Sequence, residues 1–243
     1  MNQMIKTSIV SLFLSVSFIF PTYAWQLKPF ETTYSATISK IPFDGQATYS
    51  LTKQANQWHF HTQASMAIAQ RVENSSFVLK NGAIQPSFYK FEQSGIRPKE
   101  VSLSFDWKKM FAKGHFKDRK HDDDMFFDLK YSMLDQLSTQ LALQIDIANG
   151  KKQMSYRVIE DDKLDTYKFK VVAEETIETP VGKLVAVKVQ RVRDTNSKRQ
   201  SYIWFAKDWN YTVVRLYHLE KNGQEYVISL AHGTVDGKEI KGK

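Results

Sequence analysis

Four cations gather around one turn in "VQRVRDTNSKRQSY" (189–202): Arg191, Arg193, Lys198 and Arg199, with Arg215 on the next strand-like segment. In an extended chain, successive side chains alternate between faces. Arg191 and Arg193 therefore share a face with Val187 and Val189. A guanidinium is a planar fork that grips carboxylate or phosphate through two hydrogen bonds. Set beside an apolar surface, such a row suits an anionic amphiphile, head on arginine and tail on the sheet. The competing reading is a solvated hairpin tip. The candidate ligand or partner residues are Arg191, Arg193, Arg199 and Arg215, joined by Leu143 and Ile147 from the one helical segment.

Other chemistry is weaker. His59 and His61 have a spacing that can chelate a metal, but no third ligand is visible and both lie on the polar side of "WHFHTQASM". "HDDDMFFD" (121–128) lacks the alternating ligands and glycine of a calcium loop. It reads as an exposed loop paired with the basic "KDRK" just before it. No nucleophile elbow, zinc-protease helix or phosphate loop occurs, and nothing selects a catalytic pair from 26 acids. The expectation is a non-catalytic protein without metal or cofactor.

Strands must position these residues. "EVSLSFDW" puts Val101, Leu103, Phe105 and Trp107 on one face, and "FETTYSATI" and "QATYSLT" alternate likewise. Turn chemistry separates the segments at "PFDG" (42–45) and Asn81-Gly82. The first half reads as an antiparallel meander with one wet face. In the second half both faces are apolar: Ile203 and Phe205 oppose Tyr202 and Trp204. Something must cover each side of that sheet.

Between the halves lies "YSMLDQLSTQLALQIDIANG" (131–150). Leu134, Leu137, Leu141, Ile145 and Ala148 form a stripe at helical spacing, while Leu143 and Ile147 fall nearly opposite. Ser132 and Asp135 resemble a capping box, and Asn149-Gly150 supplies a stop. Gln136, Ser138 and Thr139 should meet water. The fold class expected is mainly β: a strongly curved antiparallel sheet, an open or half barrel, wrapped around one main helix at about 132–148.

Lys6, the 12-residue apolar run Ile9–Phe20 and "TYA" ending at Ala24 read as a cleavable signal peptide over residues 1–24. A run this short does not span a bilayer, so no transmembrane segment is expected in the mature chain. Residues 25–235 read as one β-rich domain and 236–243 as a mobile tail. Without cysteine there is no lipid anchor and no disulfide. The net charge of +8, or +7 once Lys6 is removed, is spread thinly. It favours anionic envelope material over nucleic acid, for which no motif is present.

"RPKEVSLSFDW" (97–107), "LDQLSTQLALQIDI" (134–147), "TPVGKLVAVKVQRVR" (179–193) and "KRQSYIWFAKDWNYTVVRL" (198–216) follow one another in an order that resembles the exported Gram-negative family known as domain of unknown function 3108. The resemblance runs from about Phe30 to Leu230. It implies a fold similar to periplasmic lipoprotein-carrier half-barrels, where a curved sheet cradles a helix, and it implies no activity. The function expected is a periplasmic protein that binds a lipid or other amphiphile or assists envelope assembly. The alternatives are a protein-interaction module with a filled core and, more remotely, a hydrolase of envelope polymers.

Overall fold

The computed structural model describes residues 25–39, 45–66, 69–194 and 196–243. The expected signal peptide and most of the "PFDG" turn lie outside them. Eight antiparallel strands come first: β1 (Phe30–Ile38), β2 (Gly45–Gln54), β3 (Gln57–Met66), β4 (Ala69–Lys80), β5 (Ala83–Gly95), β6 (Lys99–Asp106), β7 (Phe111–Lys117) and β8 (Asp122–Asp128). A short β9 (Met133–Asp135) runs into helix α1 (Gln136–Ala148). Then follow β10 (Gln153–Glu160), β11 (Lys163–Thr179), β12 (Gly182–Val192), β13 (Gln200–Ala206), β14 (Thr212–Leu219), β15 (Glu225–Val235) and the two-residue β16 (Lys238–Glu239).

Two meanders join where β1 pairs with β15, giving one open sheet that runs from β8 through β1 and β15 to β9. The pairings are antiparallel except β9–β10, which is parallel. Register shifts at Thr33/Tyr34, Ser76/Phe77, Val171/Ala173 and Trp204/Phe205 mark bulges that bend the strands. Asn81 and Gly82 both take positive φ, as a tight hairpin turn with the strands' twist requires. The mainly β, open half-barrel expectation is therefore met.

The helix lies within the curve, packed against β4, β5, β9 and β10. Its stripe residues Leu137, Leu141 and Ile145 are buried, and so are Leu143 and Ile147. Three details correct the sequence reading. The helix begins at Gln136 rather than near 132, because residues 133–135 pair with Arg157–Ile159 as β9. The N-cap is Asp135 and not Ser132, which is exposed. Ser138 and Thr139 do not meet water; both hydroxyls donate back to the Asp135 carbonyl, at 3.3 and 2.7 Å. Asn149 forms the C-cap, as expected.

Asp135 is fully buried, and its two oxygens have separate tasks. One accepts from the Ser138 backbone N–H at 2.7 Å; the other accepts from the Ser75 hydroxyl of β4 at 2.8 Å. Thus one side chain caps the helix and ties it to the sheet wall.

One end of the half-barrel is closed. The Lys207–Trp209 turn leads to Asn210 and Tyr211, both at positive φ. The Asn210 side-chain amide donates to Gln26 O at 3.0 Å, and the Asn210 backbone carbonyl accepts from the Gln144 side chain of α1 at 2.8 Å. Residues 236–243, expected as a mobile tail, are part of the fold. Ile240 is buried, β16 pairs with β15, and Gly242 N donates to Val181 O at 2.7 Å. The apolar Ile240 within "DGKEIKGK" is the physical reason.

"HDDDMFFD" also departs from expectation. Asp122–Asp128 form edge strand β8 rather than a loop, turning Met125 into the core. Lys117 still pairs with Asp122, at 2.6 Å.

Leu141→Asp places an unpaired charge inside this enclosure and should cost about 4 kcal/mol. His61→Ala removes only a cross-strand hydrogen bond to Asn74, 2.8 Å long, and should cost about 1 kcal/mol or less. Thermal melts of the two variants check this, and equal melting temperatures would contradict the helix placement. Burial pushes the Asp135 carboxyl up to about 6. An acid raised on folding binds its proton more tightly in the native state, so stability falls as pH rises from about 4 to about 6. Asp135→Asn keeps a capping oxygen and removes the charge. Urea titrations across that window should show a shallower loss than the parent, by up to about 3 kcal/mol. A slope equal to the parent's would show that the Asp135 carboxyl is not raised on folding.

Candidate functional site

Because α1 leans on the β4–β5 and β9–β10 side, it leaves space against the opposite wall. That space is a cavity of about 640 Å³, opening at the end of the barrel away from Asn210. The helix contributes Gln136, Thr139, Gln140 and Leu143, one face at helical spacing. Alanines across from it, Ala36 on β1 and Ala64 on β3, leave the volume unfilled.

Register grades the facing wall by polarity. At the mouth, Ser201 of β13 pairs with His218 of β14, which pairs with Tyr226 of β15. Two residues deeper, Val189, Ile203, Leu216, Ile228 and Ala36 form one cross-strand row, entirely apolar. Deeper still, Val187 pairs with Phe205 and Phe205 with Val213, while Leu230 pairs with Tyr34. The Tyr34 hydroxyl donates to Val213 O at 2.8 Å, closing that layer. Ile203, Leu216 and Ile228 are only half-buried although they face inward, because the cavity is beside them.

Positive charge borders the mouth. Arg191 lines the cavity with its guanidinium carbon 3.5 Å from the Tyr167 ring centre, and its nearest carboxylate is Asp165 at 3.9 Å. Arg193 donates to the Ser201 hydroxyl at 3.0 Å and, among the described residues, has no carboxylate within ion-pair distance. Burial, then the charges of Arg191 and Arg199, push the Arg193 guanidinium below its ordinary value. Arg199 is paired with Glu220 at 2.9 Å. Burial works to raise Glu220, but His218 and Arg199 outweigh it and hold the carboxyl below its usual range. Arg71, from β4, reaches the cavity from the other side.

Of the six residues proposed from sequence, the structure brings Arg191 and Leu143 into the cavity wall. Arg193 stands one hydrogen bond away through Ser201, and Arg199 reaches it through Glu220 and His218. Two lie elsewhere. Ile147 is buried near the closed end, and Arg215 sits on the opposite face over Trp204, donating to Glu178 O at 2.7 Å. Ser201, His218 and Arg71 were missed. For Ser201 and His218 the signal was the same alternation that set Ile203 inward, followed two residues outward along β13 and β14.

Glu73 and Asp135 are both raised by burial, yet neither lines the cavity. Glu73 accepts from the Tyr89 hydroxyl at 3.0 Å, and Tyr89 also reaches Gln136, so this pair anchors the start of α1. His59 and His61 are hydrogen-bonded across to Ser76 and Asn74 of β4. Among the described residues no group of three potential ligands could hold a metal, and no helix is long and apolar enough to cross a membrane.

Comparison with known proteins bears on the fold. A search of the curated proteins returns no match. Among solved structures, the chain is similar to a β-barrel-like protein of domain of unknown function DUF1849 from Brucella abortus. The TM-score is 0.58 at 10% identity, covering 87% of this chain and 99% of that one. A predicted lipoprotein from Parabacteroides distasonis aligns over 86% of this chain and 96% of its own, at 13% identity, but its TM-score of 0.33 is too low to carry an argument. The sequence itself matches one family model over residues 32–230, and the chain accordingly belongs to the family described as Protein of unknown function (DUF3108).

Proposed function

We propose that this is a periplasmic protein that holds a lipid or other amphiphile with an acidic head, its tail in the cavity beside α1. The observation that carries this reading is the graded wall: arginine, serine and histidine at the mouth, then rows of valine, isoleucine, leucine and phenylalanine below. A cavity of about 640 Å³ falls within the range of small-molecule sites, roughly 300–1,000 Å³. A filled-core interaction module would leave no such space. The half-buried Ile203, Leu216 and Ile228 would gain hydrophobic contact from an acyl chain at about 25 cal/mol per Å² buried. Arg193, held near two other cations, would gain a counter-charge from the head. The expected signal peptide supplies the periplasmic part of the reading.

Solvent extraction of the purified mature protein followed by mass spectrometry should release an acidic amphiphile, or the protein should take one up on titration. Absence of both would overturn the proposal. Ala64 faces the cavity and is half-buried. Ala64→Phe should fill the space, lowering uptake by about tenfold or more while leaving the melting temperature unchanged or higher. Undiminished uptake by a folded Ala64→Phe variant would place binding elsewhere.

A further inference from the structure

The mouth carries an unbroken hydrogen-bond chain whose directions are constrained. Arg193 can only donate, so its 3.0 Å contact makes the Ser201 oxygen an acceptor. The Ser201 hydroxyl lies 2.7 Å from His218 Nδ1, and His218 Nε2 lies 3.1 Å from Glu220 Oε1. Glu220 is deprotonated, accepting on its other oxygen from Arg199 at 2.9 Å. With neutral His218, one pattern satisfies every link: the serine proton points at Nδ1, and the Nε2 proton points at Glu220. The serine hydroxyl then has no hydrogen left for the cavity.

A second proton on His218 reverses one link. Nδ1 becomes a donor to the Ser201 oxygen, which already accepts from Arg193, and the serine hydrogen is released. From this we infer that Arg193, Ser201 and His218 form an oxyanion subsite for the head of the bound amphiphile, a carboxylate, phosphate or sulfate-type group, and that the subsite takes up the anion together with a proton on His218. This rests on the amphiphile reading and adds the head-group chemistry and its pH response. Protonation supplies a freed hydroxyl donor and a positive charge at the same place. The groups facing His218 are Glu220 from just beyond the end of its strand, Ser201 and, through it, Arg193 from the β12–β13 side, Arg199 through Glu220, and the Tyr226 ring of β15 at 6.1 Å. Glu220 favours the added proton, the two arginines oppose it, and a bound anion would offset that opposition. Binding couplings are reciprocal, so the anion must also favour the protonated imidazole.

The test uses the mature protein and decanesulfonate below its micelle concentration, because a sulfonate stays ionised throughout the imidazole range. Calorimetric titration should show affinity rising about tenfold between about pH 8 and about pH 5.5. Decanol, with the same chain and no charge, should bind equally at both. His218→Asn should hold decanesulfonate at the weaker level at both pH values. In the parent protein, decanesulfonate should raise the His218 titration midpoint, followed by NMR of the ring, by about one pH unit. Decanesulfonate binding that ignores pH, a pH response that survives in folded His218→Asn, or a His218 midpoint unmoved by the probe would overturn the subsite while leaving the amphiphile reading standing. Inorganic phosphate binding as tightly as decanesulfonate would make this a small-anion site and overturn the head-group assignment. Failure of both decyl probes at every pH would overturn both.

Discussion

Everything in this fold depends on enclosing a helix whose N-cap, Asp135, is fully buried. The leading N–H groups of any helix lack partners within it. Inside a sheet, leaving them bare costs about as much as losing a hydrogen bond each. Asp135 meets that constraint from a buried position, accepting from Ser138 N and from Ser75 on the wall. Because Ser75 belongs to β4, the cap also decides which wall the helix leans on. The cavity is the space left on the other side.

That space inherits its chemistry from strand register. Antiparallel neighbours hold a fixed pairing, so a polarity step along one strand becomes a ring across several. The step from Ser201 to Ile203 on β13 is matched by His218 to Leu216 on β14 and Tyr226 to Ile228 on β15. A head-and-tail gradient therefore arises without a dedicated loop. The closed end, built from Asn210, Gln26 and Gln144, makes the gradient one-directional.

Much of this was legible in the sequence, and the departures have physical reasons. Period-2 alternation located the strands, and the leucine stripe located the helix. The β9 segment was not legible, because three residues become a strand only by pairing with Arg157–Ile159, well downstream. Ser138 and Thr139 looked solvent-facing because hydroxyls usually are; here both satisfy themselves on Asp135 O. Arg191 and Arg193 were readable as a row beside valines. Arg215 was misplaced because it is the immediate neighbour of the inward Leu216, so alternation alone sets it opposite Trp204, away from the cavity. Ser201 and His218 are ordinary residues singly, and only the β13–β14 register makes them neighbours.

The central claim is that the interior beside α1, and not the outer surface, receives the apolar tail. Methyl-labelled NMR during titration with decyl phosphate reads this directly. The account predicts that the largest shift changes fall on the methyls of Leu143, Ile203, Leu216 and Ile228, which face the cavity. Changes confined to the exposed outer methyls of Val172 and Val185, with those four unmoved, would contradict it.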